Sequence, residues 1–148
     1  MIKPPVVFLA SILRRLGRYI DTDAWIPFSD LAGQLLFRPP NVSGWNDERW
    51  LDTSRMRGRW RLVELAVRPT ARRLNAAAQR PQTAEAAVAE ALRAWGDPQL
   101  RPEHRDELRD FADRAMAGAS QAEFPERMRM RTEGLLQLIG ISPDLNLQ

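Results

Sequence analysis

The segment RMRGRWRL, Arg55 to Leu62, carries two periodicities at once, and the class of the whole chain turns on which one folds. Arg55, Arg57, Arg59 and Arg61 alternate with Met56, Gly58, Trp60 and Leu62, which is strand spacing. Against this, Asp52, Thr53 and Ser54 just upstream are all N-cap residues, and Met56, Trp60, Val63 and Val67 fall on one helical stripe. A strand here also has nothing to pair with, because no second strand-like run exists in the chain. The expectation is a helix, and with it an all-α protein.

Working outward, Pro4-Pro5 followed by Val6, Leu9, Leu13 and Leu16, with Gly17 after them, predicts a first helix with proline in its opening turn and glycine closing it. Ser29 or Asp30 suits the cap of a short second helix carrying Leu31, Leu35 and Leu36 and stopping before Pro39, since a residue preceding proline avoids helical geometry. Downstream, Arg68 to Gln82 holds two prolines and an alanine run and reads as a linker. Thr83 then caps a helix with Val88, Leu92 and Trp95, stopped at Gly96-Asp97-Pro98. Pro102 opens another, with Leu108, Phe111, Ala112 and Ala115 as its stripe, and Pro125 opens the last, carrying Met128, Leu135, Leu138 and Ile139 and ending at Gly140. The expected architecture is an irregular bundle of five to six helices with one long ordered loop. It forms a single domain over residues 1–148, divided into 1–67, a linker at 68–82 and a helical part at 83–140.

Composition removes several mechanisms. Without cysteine there is no disulfide framework, thiol nucleophile or thiolate metal site, and neither a cofactor motif nor a glycine-rich phosphate loop is present. The net charge is +3, and 21 of the 22 cations are arginine. Eight arginines between Arg49 and Arg73 face only Asp52 and Glu64, whereas ten acids between Thr83 and Glu126 face five arginines. Such asymmetry serves a polyanion partner or pairs one part of a domain with another. The four arginines from Arg55 to Arg61 spread around more than half of a helix, so they are expected on solvated faces rather than as one nucleic-acid-binding stripe. The apolar run Val6 to Leu13 is far shorter than the roughly 20 residues of a membrane span, and no small-residue cleavage site follows it.

His104, the sole histidine, is expected at an ordinary position in the first turn of a helix, and any Ser-His-Asp site would have to be built around it. Asp21-Thr22-Asp23 and Asp47-Glu48 lack the further oxygen ligands of a cation loop and read as turns or caps, so no catalytic and no metal residue is assigned. Of the five tryptophans, Trp60 and Trp95 fall on apolar stripes and favour a core reading; Trp45 and Trp50 are less determined, and exposed indoles would form a sugar- or peptide-binding surface. The segment FRPPNVSGW, Phe37 to Trp45, is stiffened by Pro39-Pro40, and Asn41 and Gly44 suit turn geometry. Its first reading is a brace anchored by Trp45, and its second is a recognition surface made by Arg38, Asn41, Trp45 and Trp50.

Lys3-Pro4-Pro5-Val6, Leu16-Gly17, Gly33-Gln34, the string Phe37-Arg38-Pro39-Pro40-Asn41-Val42-Ser43-Gly44-Trp45, Trp50-Leu51 and Thr53-Ser54 resemble the C-terminal part of the bacterial domain of unknown function 1800 family. The likeness is dense over roughly the first 60 positions and sparse from Ala71 to Ala122. Asn46-Asp47-Glu48 stands where members carry a proline- and glycine-rich turn. The family's larger N-terminal portion has no counterpart here, so the resemblance implies a fragment or a cut-down member. It implies a protein of the bacterial cell envelope or exterior, and no known reaction. The expectation for function is therefore a structural or partner-binding module without catalysis of its own, whose partner is an upstream part of the same protein or another envelope protein. The alternatives are a contribution of Arg38, Asn41 or Asp47 to a composite active site, and arginine-mediated binding of nucleic acid or another polyanion.

Overall fold

A computed structural model of the chain describes residues 2–18, 22–35, 37–45, 50 and 52–147, with the backbone alone for 22–25. Readings that fall on Asp21, Leu36, Asp47, Glu48, Arg49, Leu51 and the Trp25 side chain lie outside the described residues. Among the described residues the order is α1 (Pro5–Arg15), α2 (Thr22–Leu31), α3 (Thr53–Asn75), α4 (Ala84–Ala94), α5 (Pro102–Met116), α6 (Phe124–Ile141) and the short α7 (Pro143–Asn146). The only β pairing there is a single antiparallel bridge between Ile2 and Leu147. The chain is all-α.

Local chemistry places most of the boundaries. Asp52 caps α3 by accepting the Arg55 amide at 2.9 Å, and Thr83 caps α4 by accepting the Ala86 amide at 3.2 Å. Prolines occupy the first turns of α1, α5 and α6, where their missing amides cost no intrahelical bond. α2 departs from expectation: instead of starting at Ser29 or Asp30 it ends there, and Ser29 is buried inside it. Gly33 explains the difference. At φ +96 it closes the helix, with its own amide bonded to Asp30 O at 2.9 Å and the Gln34 amide bonded to Ser29 O at 2.8 Å. This left-handed closure satisfies carbonyls that would otherwise be orphaned, and it sends Leu35 into the loop. The linker expected from Arg68 is likewise helical as far as Asn75, with Pro69 inside α3. Burial of Thr70 and Ala71 holds the helix together past the proline.

α3 and α6 run along one another at the centre, α4 and α5 pack on α6, and α1 and α2 pack on the first half of α3. The core joins Phe8, Leu9, Ile12 and Leu13 of α1 to Leu62, Val63, Ala66 and Val67 of α3 and to Leu135, Leu136 and Ile139 of α6. Trp95 is fully buried as expected, its indole N–H donating to Leu136 O at 3.0 Å. Gly140, expected to end the last helix, lies within α6. A Cβ there would sit 2.6 Å from Trp95 Cζ2, so the glycine is a packing requirement.

Two expectations about α3 are reversed. Trp60, expected in the core, is 46% exposed, and Arg59, expected on a solvated face, is 0% exposed. The helix buries the face of Gly58, Arg59, Leu62, Val63, Ala66 and Val67 rather than the stripe through Met56 and Trp60. One reason is Gly58, which lies so close to the Leu31 carbonyl of α2 that no side chain would fit. Turning that position inward carries Arg59 in with it. The Arg59 guanidinium then finds backbone and amide acceptors instead of a carboxylate: Nη2 donates to Lys3 O at 2.6 Å, and Nη1 donates to Asn146 Oδ1 at 3.1 Å. Its centre lies 4.7 Å from the Phe8 ring centroid, within cation–π range. Asn146 donates onward to Ile141 O and Ser142 O, and the Lys3 amide donates to Asn146 O at 2.8 Å. One buried cation thus ties the segment before α1 to the segment around α7.

Candidate functional site

The loop that follows α2 is shaped by short-range hydrogen bonds. Gln34 Oε1 accepts the Val6 amide of α1 at 3.2 Å, and the Arg38 amide bonds Leu35 O at 3.1 Å around Phe37, whose φ is +63. Asn41 Oδ1 accepts the Ser43 amide at 2.9 Å, and the Gly44 amide bonds Asn41 O at 3.1 Å. Asn41 is therefore an Asx-turn residue, as its type suggested.

Arg38, Pro39, Pro40 and Trp45 line a cleft of about 420 Å³ together with Asp30, Gly33 and Arg55. Arg38 and Trp45 are thus brought together, whereas Asn41 and Trp50 are not among the lining residues. Arg38 and Asn41 are exposed, while Trp45 and Trp50 are half-buried. The Trp50 indole N–H is buried without an acceptor among the described residues. Arg55 joins this cleft although the sequence presents it only as one of an alternating arginine series. It lies across Gly33, where a Cβ would fall 2.7 Å from its Cδ, and its Nη1 donates to Asp30 O at 3.2 Å. Two further residues of the loop are the most exposed large apolar side chains described: Phe37 at 96% and Val42 at 106%. The sequence displays both residues but carries no signal of which way they point.

A second polar cluster gathers where α5 starts and α7 lies against it. Arg101 donates to Asp144 Oδ1 through Nε at 3.0 Å and to Oδ2 through its amide at 3.2 Å. His104 Nδ1 lies 2.6 Å from Asp144 Oδ2, and its Nε2 faces Arg101 Nη2 at 3.3 Å. The assignment consistent with both contacts has Nδ1–H donating to the carboxylate and Nε2 accepting from the guanidinium. Burial acts to raise the Asp144 pKa, but the hydrogen bonds from His104, the Arg101 amide and the Arg101 guanidinium outweigh it and hold the carboxyl below its ordinary 3.8. Ser142 is nearby in sequence, yet its buried hydroxyl has no hydrogen-bond partner among the described residues. The residue types of a Ser-His-Asp site are present without the serine–histidine contact that would activate the hydroxyl. The cluster works as a clamp between α5 and α7.

Among the described residues no three His, Cys, Asp or Glu side chains converge to hold a metal ion. No described helix is long and apolar enough to cross a membrane. No curated protein and no solved structure matches the chain. A family model does match, over residues 1–147, and it includes the stretch from Ala71 to Ala122 where recognisable motifs are sparse. The clustered motif of the loop and this near-complete match together place the chain in the family described as protein of unknown function (DUF1800).

Proposed function

We propose that this chain is a partner-binding module without chemistry of its own, and that the loop from Phe37 to Trp45, with Trp50, is its docking face. The observation that carries the proposal is the full exposure of Phe37 and Val42 on either side of Arg38 and the proline pair. Covering a side chain of this size is worth about 1.5–3 kcal/mol. Phe37 also holds a left-handed backbone conformation, which is strained for a bulky residue and costs about 1–3 kcal/mol. Pro39-Pro40 and the Asn41 turn fix the loop beforehand, so little conformational entropy is lost on docking.

The partner is a protein surface, either another stretch of the same polypeptide beyond this sequence or a second protein of the bacterial envelope, and the module works outside the cytoplasm. The polyanion reading loses support because Arg59 is buried and Arg61 is held by Glu64 at 2.7 Å. The composite-site reading rests on Arg38 and Arg55 at one cleft, since Asp47 lies outside the described residues.

The test places a photo-crosslinking residue at position 42 of the protein produced in its own bacterium. A discrete protein adduct, found in the periplasmic or secreted fraction and lost with Phe37→Ser, is expected. Labelling no different from that at Asp110, on the exposed side of α5, would remove the docking face. Recovery of all adduct from the cytoplasm would remove the compartment. Asn41→Ala should remove the adduct and leave the melting temperature unchanged, whereas a lowered melting temperature would favour the brace over docking.

A further inference from the structure

We infer that the groove between α3 and α6, on a different face from the loop, seats an amphipathic helix of a protein partner whose flank facing α3 is acidic. The groove has a volume of about 820 Å³. Val67, Ala71 and Gly134 make its floor, with Trp60 and the 57%-exposed Met130 standing at its walls. Its lining on α3 runs from Trp60 to Ala76, which is about 24 Å of helix axis at 1.5 Å per residue.

Three features select a helix. Small or apolar groups recur one turn apart at Val67 and Ala71 on α3, with Met130 on the α6 wall, which is the spacing that accepts the ridges of a third helix; the space beside Gly134 is already filled by the Phe111 ring of α5. Both walls are helices whose backbone groups are bonded internally, so an extended peptide finds no sheet edge to extend. Most polar groups of the rim are already engaged: Glu64 accepts from Arg68 at 2.6 Å, Glu133 from Arg129 at 2.9 Å, and Gln137 Nε2 donates to Trp60 O at 2.8 Å, while Gln137 Oε1 has no partner among the described residues. Gln137 Oε1 and the Arg72 guanidinium are what remain for a polar ligand, a smaller set than the several converging donors and acceptors that a sugar's hydroxyls need.

Charge then orients the occupant. The lining holds three guanidiniums, Arg68, Arg72 and Arg129, against two carboxylates, Glu64 and Glu133. Among the described residues no carboxylate forms an ion pair with Arg72. The surplus sits on the α3 wall, where an acidic flank meets it; such complementarity fixes orientation more than affinity.

The probe is an 18-residue synthetic peptide with leucines in a helical stripe and glutamates along one flank. Its partner in the experiment carries lysines in place of the glutamates. With the whole protein, saturable binding of the acidic peptide with a gain of helical circular dichroism is expected, and at least tenfold weaker binding of the lysine peptide. Met130→Glu and Arg72→Glu, both at exposed positions, should each weaken the acidic peptide tenfold or more with unchanged far-UV spectra. Phe37→Ser should not alter it, which keeps this groove separate from the loop. Equal affinity for the two peptides, indifference to Met130→Glu, or Met130-dependent binding of a chito-oligosaccharide in place of the peptide would each overturn the inference.

Discussion

Replacing Arg59 with alanine tests the account of the core most directly. The side chain makes two charge-assisted hydrogen bonds, at 2.6 and 3.1 Å, and sits 4.7 Å from the Phe8 ring. Hydrogen bonds to a charged group contribute about 1.5–3 kcal/mol each, and a desolvated cation–π contact adds up to about 2 kcal/mol. Opposing them is the cost of burying a cation that has no carboxylate partner, several kcal/mol. That burial also lowers the Arg59 pKa to about 10. Alanine loses every favourable contact, leaves a hole beside Phe8 and strands Asn146 Oδ1, so a net loss of about 3–5 kcal/mol is expected. Methionine keeps most of the volume and deletes the buried charge, so its cost falls to about 1–3 kcal/mol from the unpaired acceptors.

Urea titrations followed by far-UV circular dichroism give these differences, and amide exchange at Lys3, bonded to Asn146 O, should quicken in the methionine variant. The folded pKa is depressed, so between pH 10 and arginine's ordinary value the unfolded chain binds more protons and stability rises with pH there. Below that window the Arg59 contribution is constant, so the alanine deficit should be flat from pH 6 to 9. A deficit under about 1 kcal/mol for Arg59→Ala, or Lys3 exchange unaltered in Arg59→Met, would refute the claim that this guanidinium ties the two end segments together.

Gly140→Ala should destabilise by about 1–3 kcal/mol despite alanine's better helix propensity, because its Cβ would press on Trp95; a lower melting temperature with a changed near-UV spectrum checks this. The depressed Asp144 carboxyl contributes stability that is fully present above pH 3.8 and lost as pH falls through its folded value; melting curves from pH 2 to 7 should therefore flatten at the acid end in Asp144→Asn. Pro69→Ala restores an amide inside α3 and should raise stability by about 1 kcal/mol or more, and a drop in melting temperature would show that the ring packs where alanine cannot.

Much of the helix map was legible because it rests on short-range chemistry. Asp52 and Thr83 accept amides three residues on, and Pro102 and Pro125 sit where helices open, so these elements begin where their residue types place them. Ser29 and Asp30 are residue types that suit a helix start, but the left-handed Gly33 supplies a stop that puts them at the end of α2 instead. For the candidate site, the turn at Asn41 was legible, because an asparagine side chain bonds the amide two residues on. The meeting of Arg38 with Arg55, 17 positions away, was not. Nothing in a residue's identity indicated that Phe37 and Val42 face water.

What the amino-acid order alone determined is an all-α chain with capped and proline-opened helices and no thiol chemistry. What only the packed structure decided is which face of each helix turns inward. Trp60 and Arg59 are neighbours on α3, and their types predict the first buried and the second exposed. The close approach of α2 at Gly58, the Phe8 ring and the acceptors at Lys3 and Asn146 reverse that order. Helical periodicity specifies a stripe but not its absolute rotation. The energy of burying a polar head depends on acceptors that come from the far ends of the chain, and those exist only once it has folded.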